Sequence, residues 1–377
     1  MSKTTSDATG MTMSDATSAA GFAAEFAAAT FSRATGAGLD PHEYLRVTGE
    51  LAGLEQWGEA FMRTAREHLA RAERADTPIS AAGHLQVAAR WFHVATLGPN
   101  PDSAPAAGEA DAAMGRALHL LEPQARRIEG PGFAGWLRGP ADAAAVAVVV
   151  PGLDSGKEEF HDLAEALLRR GAAVFAMDGP GQGVLAATST VRADYHRVIG
   201  AVADALGARR VGLVGLSLGG YYAAESAARE PRVTAAVTVS GPFRLDWDAL
   251  PAPVRDLLSR RAGGEEAARR FAGEVDLSAL APRITCPLLV IDGGQDVIPG
   301  VTGGEPLARL APHGRYLRVP HGDHLLGNAR PDWLAGAADW LSGALAGDAG
   351  SVEPISRAGR TGRVPAGRRA TTRPPAG

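Results

Sequence analysis

The sequence predicts an α/β protein, a mostly parallel, doubly wound sheet with a helical domain in front of it. Three observations carry this. From about residue 126 onward, short and almost wholly apolar runs alternate with helix-like segments, the pattern of strands buried on both faces between helices. Before that point apolar residues recur at spacings of three and four, and no strand-like alternation interrupts them. A chain of 377 residues is also long enough for one large core and a smaller second one.

Taken in order, residues 1–17 repeat SDAT at 6–9 and 14–17 without apolar periodicity and read as a disordered tail. Residues 18–125 form the helical domain, in which Trp57, Phe61, Trp91 and Phe92 are assigned to helix packing. Residues 126–348 form the sheet domain, with strands expected at 145–150, 172–178, 210–217, 233–241, 286–294 and 315–322. Between two of these, residues 243–283 are polar and helical in tone and are expected to make a short cap over the strand ends. Residues 349–377 carry Arg357, Arg360, Arg363, Arg368, Arg369 and Arg373 with no acidic residue after Glu353, and read as a disordered basic tail.

Composition narrows the function classes. The net charge of -4 argues against a nucleic-acid partner. The apolar stretch AAGFAAEFAAATF is broken by Glu25, no run approaches the ~18 residues needed to span a bilayer, and no basic leader segment is present, so the expectation is a cytoplasmic protein without membrane contact. Cys286 is the single cysteine, which excludes an intrachain disulfide and suits a reducing compartment; ahead of Pro287 and LLVI it reads as a buried thiol. Of 38 basic residues only Lys3 and Lys157 are lysines, a bias that points to a GC-rich genome and makes Lys157, in PGLDSGKEEF, conspicuous. Oligomeric state is written in no motif, a homodimer being one option.

In a parallel sheet the ligand site lies beyond the C-terminal strand ends. The strand VGLVGL runs into Gly215-Leu216-Ser217-Leu218-Gly219 and then a helix, the strand–turn–helix context that a G-x-S-x-G nucleophile elbow requires. A serine needs a histidine base, itself oriented by a carboxylate. Asp296, in the loop after PLLVIDGG, is favoured as the acid over Asp292, which falls inside the apolar run. In the loop HGDH after the last strand, His324 is favoured over His321 because it lies further into the loop. Backbone N–H groups of Leu218 and of Leu153, after the strand AVAVVV, are the candidate oxyanion donors. Ser155 and Glu158 have capping-box spacing, which predicts a helix from about Gly156 with its positive end towards the site. For Lys157 the expected partner is Glu158, Glu159 or another carboxylate. The glycines of DGPGQG at 178–183 do not fit a dinucleotide fingerprint and read as a tight loop at the site mouth; no cofactor is implied, and no metal-ligand spacing occurs.

These residues resemble the α/β-hydrolase superfamily through GLSLGG, GGQD and GDH. PGLDSGKEEF, RGAAVFAMDGPGQG and the helical domain ahead of the sheet are similar to a narrower subgroup of FrsA-like esterases, 2,6-dihydroxypseudooxynicotine hydrolases and fungal polyketide-shortening hydrolases. The resemblance covers residues 20–345. It implies an α/β-hydrolase fold, a small-molecule substrate held between the two domains and a triad of Ser217, Asp296 and His324; acidic residues after VTAAVTVSG can contact substrate in this setting, with Asp246 and Asp248 as the candidates, although a solvated loop is the favoured reading of that segment. Hydrolysis of a carbon–carbon bond beside a carbonyl, or of an ester, is the expected reaction, in aromatic or polyketide-like metabolism. An acyltransferase or cyclase would use the same triad. A non-catalytic ligand-binding protein is disfavoured because no triad member is missing.

Overall fold

The computed structural model describes residues 13–347; both predicted tails lie largely outside that range. Helix α1 (Met13–Gly36) starts within the segment assigned to the N-terminal tail, so the second SDAT, at 14–17, is helical. A helix is costly to nucleate but cheap to extend, and low complexity does not stop extension from the alanine-rich turns that follow.

Four further helices complete the first domain: α2 (Pro41–Gly49), α3 (Trp57–Glu73), α4 (Pro78–Ala95) and α5 (Ser103–Leu121). Asp40 and Thr77 cap α2 and α4 by accepting the N–H of Glu43 and Ser80, and Pro41 and Pro78 occupy first-turn positions where no N–H is needed. Trp57, Phe61, Trp91 and Phe92 are fully buried, and Trp57 stacks on Phe61 at 4.1 Å while its indole N–H donates to the Val94 carbonyl. Burying each such side chain contributes about 1.5–3 kcal/mol.

The chain then makes a hairpin, β1 (Arg126–Gly130) and β2 (Phe133–Arg138), that the apolar-run criterion passes over. As the outermost strand β1 is half exposed and polar, so it carries no continuous apolar signal. There follow β3 (Ala145–Val150), α6 (His161–Leu168), β4 (Ala173–Asp178), α7 (His196–Leu206), β5 (Arg210–Leu216), α8 (Leu218–Arg229) and β6 (Val233–Val239). A short strand, β7 (Arg244–Leu245), precedes α9 (Ala252–Ala262) and α10 (Glu265–Glu274). After β8 (Leu288–Gly293) come β9 (Val301–Thr302), α11 (Glu305–Leu310), β10 (Gly314–Val319) and α12 (Arg330–Ala346).

The eight-stranded sheet has the order β1-β2-β4-β3-β5-β6-β8-β10, antiparallel where β2 meets β1 and β4 and parallel elsewhere. Alternate residues of β3 feed opposite cores: Val146, Val148 and Val150 pack with α7, α8 and the segment around α10, whereas Ala147 and Val149 pack with α6 and α12. Cys286 is partly buried against the first of these cores, and burial pushes its thiol up to about 11. Among the described residues no helix is long and apolar enough to cross a membrane.

Candidate active site

Ser217 sits at the junction of β5 and α8 with φ 54 and ψ -128, a conformation that L-residues rarely adopt. Its surroundings hold it there. A Cβ on Gly215 would lie 1.9 Å from the Gly219 carbonyl oxygen, and one on Gly219 would lie 2.3 Å from that of Val150, so only glycine lets strand and helix pass this closely. The Ser217 N–H donates to the Val239 carbonyl at 2.8 Å.

His324 approaches from the loop after β10. Its Nε2 lies 3.0 Å from Ser217 Oγ, and its Nδ1 lies 3.0 and 3.1 Å from the two carboxylate oxygens of Asp296. The residues behind it, Leu325 and Leu326, take left-handed backbone conformations at φ 67 and 52. Leu325 donates its N–H to Ser240 Oγ, and the Leu326 carbonyl accepts from the Trp333 indole. Two strained leucines in succession are tolerated because these contacts fix the turn that aims the imidazole. The rival His321 is exposed and faces Asp332 at 3.3 Å, away from Ser217.

The rival acid, Asp292, is buried at the end of β8. Its Oδ2 accepts the Gly304 N–H at 2.8 Å and the Tyr316 hydroxyl at 3.3 Å, while Oδ1 has no partner among the described residues. It borders a cavity of about 380 Å³ on the side of Asp296 and His324 shared with Ile298 and Arg318. Burial, with Asp296 as a nearby like charge, pushes its carboxyl from 3.8 up to about 6. Between those values the folded chain holds the proton more tightly than the unfolded one, so stability falls as pH rises through this window. Asp292→Asn should therefore gain on the parent by on the order of 1–2 kcal/mol between pH 4.5 and 6.5. Denaturant midpoints measured across that range check it; a constant difference between the two proteins would refute it.

Leu218 follows the serine directly, and Leu153 lies on the loop after β3 that packs against it. Leu218 opens α8, so its N–H is free of any intrahelical partner. Leu153 follows Gly152, on which a Cβ would lie 3.0 Å from Ser217 Cβ. The loop that carries Leu153 is clamped at several points. Gln182 donates to the carbonyls of Pro151 at 2.6 Å and Gly152 at 3.0 Å, while its Oε1 accepts from Gly179 N–H and the Tyr195 hydroxyl. DGPGQG is thus a brace for this loop, a role that its glycine spacing does not reveal.

The predicted capping box does not form. Ser155 Oγ accepts instead from Arg33, and residues Lys157–Phe160 make a 3₁₀ turn leading into α6 without a side-chain cap at Gly156. The structure pairs Lys157 with three carboxylates: Nζ lies 2.7 Å from Asp178, 2.9 Å from Glu158 and 3.0 Å from Asp111 on α5. Its backbone N–H also donates to Asp178 Oδ1 at 2.8 Å. Burial alone would lower this ammonium, and the carboxylates reverse that and hold it above its ordinary value. Glu159, which the sequence also offers to Lys157, pairs with Arg33 and His93 instead.

Asp246 and Asp248 lie in the turn after β7, where the Asp246 N–H donates to the Gly300 carbonyl at 2.7 Å. Both are exposed; Asp246 accepts the Asp248 N–H in the turn around Trp247, and Asp248 pairs with Arg269 at 2.8 Å. A short polar turn on the surface satisfies them, as the solvated-loop reading expects. Arg33, His93, Asp111 and Gln182 are the neighbours of the site that sequence reasoning misses, since no local pattern links residues so far apart along the chain.

Comparison with known proteins fits this geometry. The profile of the alpha/beta hydrolase family matches residues 147–280. The 2,6-dihydropseudooxynicotine hydrolase of Paenarthrobacter nicotinovorans is 31% identical over 245 residues, 60% of this chain and 66% of that protein. Hydrolase LUC6 of a Fusarium species is 32% identical over 225 residues, 51% of this chain and 53% of its own length. The chain therefore spans between about half and two thirds of these curated relatives. The crystal structure of the 2,6-dihydroxy-pseudo-oxynicotine hydrolase superposes with a TM-score of 0.73 at 27% identity, covering 84% of this chain and 96% of that one. AbyA5, at 21% identity and a TM-score of 0.63, shares the fold. The family profile spans the strands that build the elbow, and the structural match covers more of the chain than the sheet domain alone contains: the chain belongs to the α/β-hydrolase superfamily.

Proposed function

We propose that the protein is a serine hydrolase that cleaves a carbon–carbon bond beside a carbonyl, or an ester, in a small aromatic or polyketide-like molecule. The observation that carries the reading is the continuous contact from Asp296 through His324 to Ser217 Oγ, at 3.0 Å for each link, on a serine held in a strained elbow.

In this reading Ser217 Oγ attacks the substrate carbonyl while His324 Nε2 takes its proton, and Asp296 keeps Nδ1 protonated and stabilises the imidazolium. The oxyanion forms within reach of the Leu218 and Leu153 N–H groups. Collapse of the adduct expels either an alkoxide, to which His324 hands the proton it took from Ser217, or a carbanion. A carbanion leaves only if an adjacent carbonyl or ring delocalises it and His324 returns the proton. Water then attacks the acyl-enzyme by the same route in reverse. The carbon–carbon option draws support from the similarity to a pseudooxynicotine hydrolase, and the ester option from the triad, which serves both.

The test is labelling with a fluorophosphonate probe, followed by turnover of p-nitrophenyl esters against β-diketones with product analysis. Labelling confined to Ser217, and one carboxylic acid plus one ketone from a β-diketone, are the expected results. A parent that takes no label, or Ser217→Ala that takes it equally, refutes the reading. A product carrying the acyl group on an added alcohol or amine would identify a transferase.

A further inference from the structure

Helix α1 of the helical domain reaches both loops that build the site. Arg33, near its C-terminal end, grips Glu159 with Nε and Nη2 at 2.7 and 2.9 Å. Nη1 lies 2.9 Å from Asp154 and Nη2 donates to Ser155 Oγ at 3.0 Å. Asp154 and Ser155 are the two residues that follow Leu153. His93 on α4 meets the same Glu159 Oε2 through its Nε2 at 3.0 Å. Three residues beyond Arg33, Gly36 packs on the turn that begins at His324: an added Cβ there would lie 3.0 Å from Gly327 Cα, and Arg330 donates to the Gly36 carbonyl.

Electrostatics makes the grip firm. Burial by itself would lower the Arg33 guanidinium, and the charges of Asp154 and Glu159 more than reverse this. Glu159 is only 3% exposed; burial would raise its carboxyl, yet Arg33 and His93 hold it well below the usual carboxylate range. Such a desolvated bidentate fork has one geometry, which a lysine does not reproduce.

We propose that Arg33 is a positioning residue for the oxyanion hole: by fixing Asp154, Ser155 and Glu159 it sets the direction of the Leu153 N–H. The helical domain is then part of the catalytic apparatus as well as a cover for it. This rests on the hydrolase reading above. A donor stabilises an oxyanion only if it is aimed before the charge develops, and a displacement of about 1 Å costs roughly 100-fold.

The experiment compares the full-length parent with Arg33→Lys and Asp154→Asn on a neutral p-nitrophenyl ester, following kcat, KM, the pH profile and the melting temperature. Arg33→Lys keeps the buried carboxylates compensated. Asp154→Asn leaves Arg33 on Glu159 and decides the matter by the same readings if Arg33→Lys does not fold. Each is expected to lower kcat by about 10- to 100-fold with KM and the pH profile at parent values. A folded variant with parental kcat overturns the proposal, whatever its melting temperature, and marks Arg33 as a fold support only. A loss confined to KM overturns it in favour of direct substrate contact, and a shifted pH profile overturns it in favour of a disturbed His324. If the parent itself neither turns over nor labels at Ser217, the hydrolase reading fails and the proposal with it; an active parent matched by the variants refutes the positioning role alone.

Discussion

Ser217→Ala is expected to lower kcat by about 10⁵- to 10⁶-fold, and His324→Ala by a similar factor, with the double variant no worse than either. The three groups act as a unit. Without the hydroxyl there is nothing for the base to activate, and without the imidazole at 3.0 Å from Oγ the serine stays a neutral alcohol. What survives is the binding and oxyanion contribution of the remaining site. Asp296→Asn should cost about 10⁴-fold, because an amide beside Nδ1 favours the wrong tautomer. His321→Ala should match the parent, since its ring faces Asp332 on the surface. Steady-state turnover of a p-nitrophenyl ester gives all five values. Ser217→Ala with more than about a hundredth of parental kcat, or additive losses in the double variant, would sink the triad.

Lys157→Met is expected to destabilise the fold by about 3–5 kcal/mol at pH 7. The Lys157 side chain is 2% exposed and is the shared counter-charge of Asp178, Glu158 and Asp111. Removing it strands three carboxylates at the junction of β4, α5 and the Leu153 loop. Burial already raises Glu158; Lys157 pulls it back, and the like charges of Asp178 and Asp111 leave it above its ordinary value. Without the ammonium Glu158 would titrate higher still, and Asp111, held below its ordinary value by Lys157 and Arg127 against its burial, would lose one of its two counter-charges. A carboxyl raised on folding contributes less stability as pH rises, so the deficit should be larger at pH 8 than at pH 5. Lys157→Arg retains the charge but needs more room than contacts of 2.7–3.0 Å leave, and should fall between parent and Lys157→Met. Denaturant titrations at the two pH values decide the matter. A deficit below about 1 kcal/mol, or one that grows on acidification, would show that the cluster is not held together in this way.

The sequence by itself determined the strands that are buried on both faces. Five runs, from AVAVVV to LLVIDG, coincide with β3, β4, β5, β6 and β8, because a central strand covered on two sides has to be apolar throughout, whereas RYLRVP, expected to be buried on both faces, forms β10, the largely exposed strand at the edge of the sheet. It also determined the elbow and the order of serine, acid and histidine. The glycines beside Ser217 are required by local backbone approach, and the acid and base each follow directly on an identifiable strand.

Tertiary structure decided what depended on partners far along the chain. Which of His321 and His324 meets the serine, and which of Asp292 and Asp296 meets that histidine, was a question of direction, settled by the loops after β8 and β10. That Asp248 pairs with Arg269 of α10 is likewise written in no local pattern. The half-exposed β1 left no periodic trace. Above all, Arg33 lies 121 to 126 residues from the side chains it grips, and Lys157 meets Asp111 and Asp178 from two other elements. Apolar patterning reports which face of an element is buried. A buried ion pair depends on one contact in space between residues that share no local pattern, so folding brings it together and sequence periodicity leaves no sign of it.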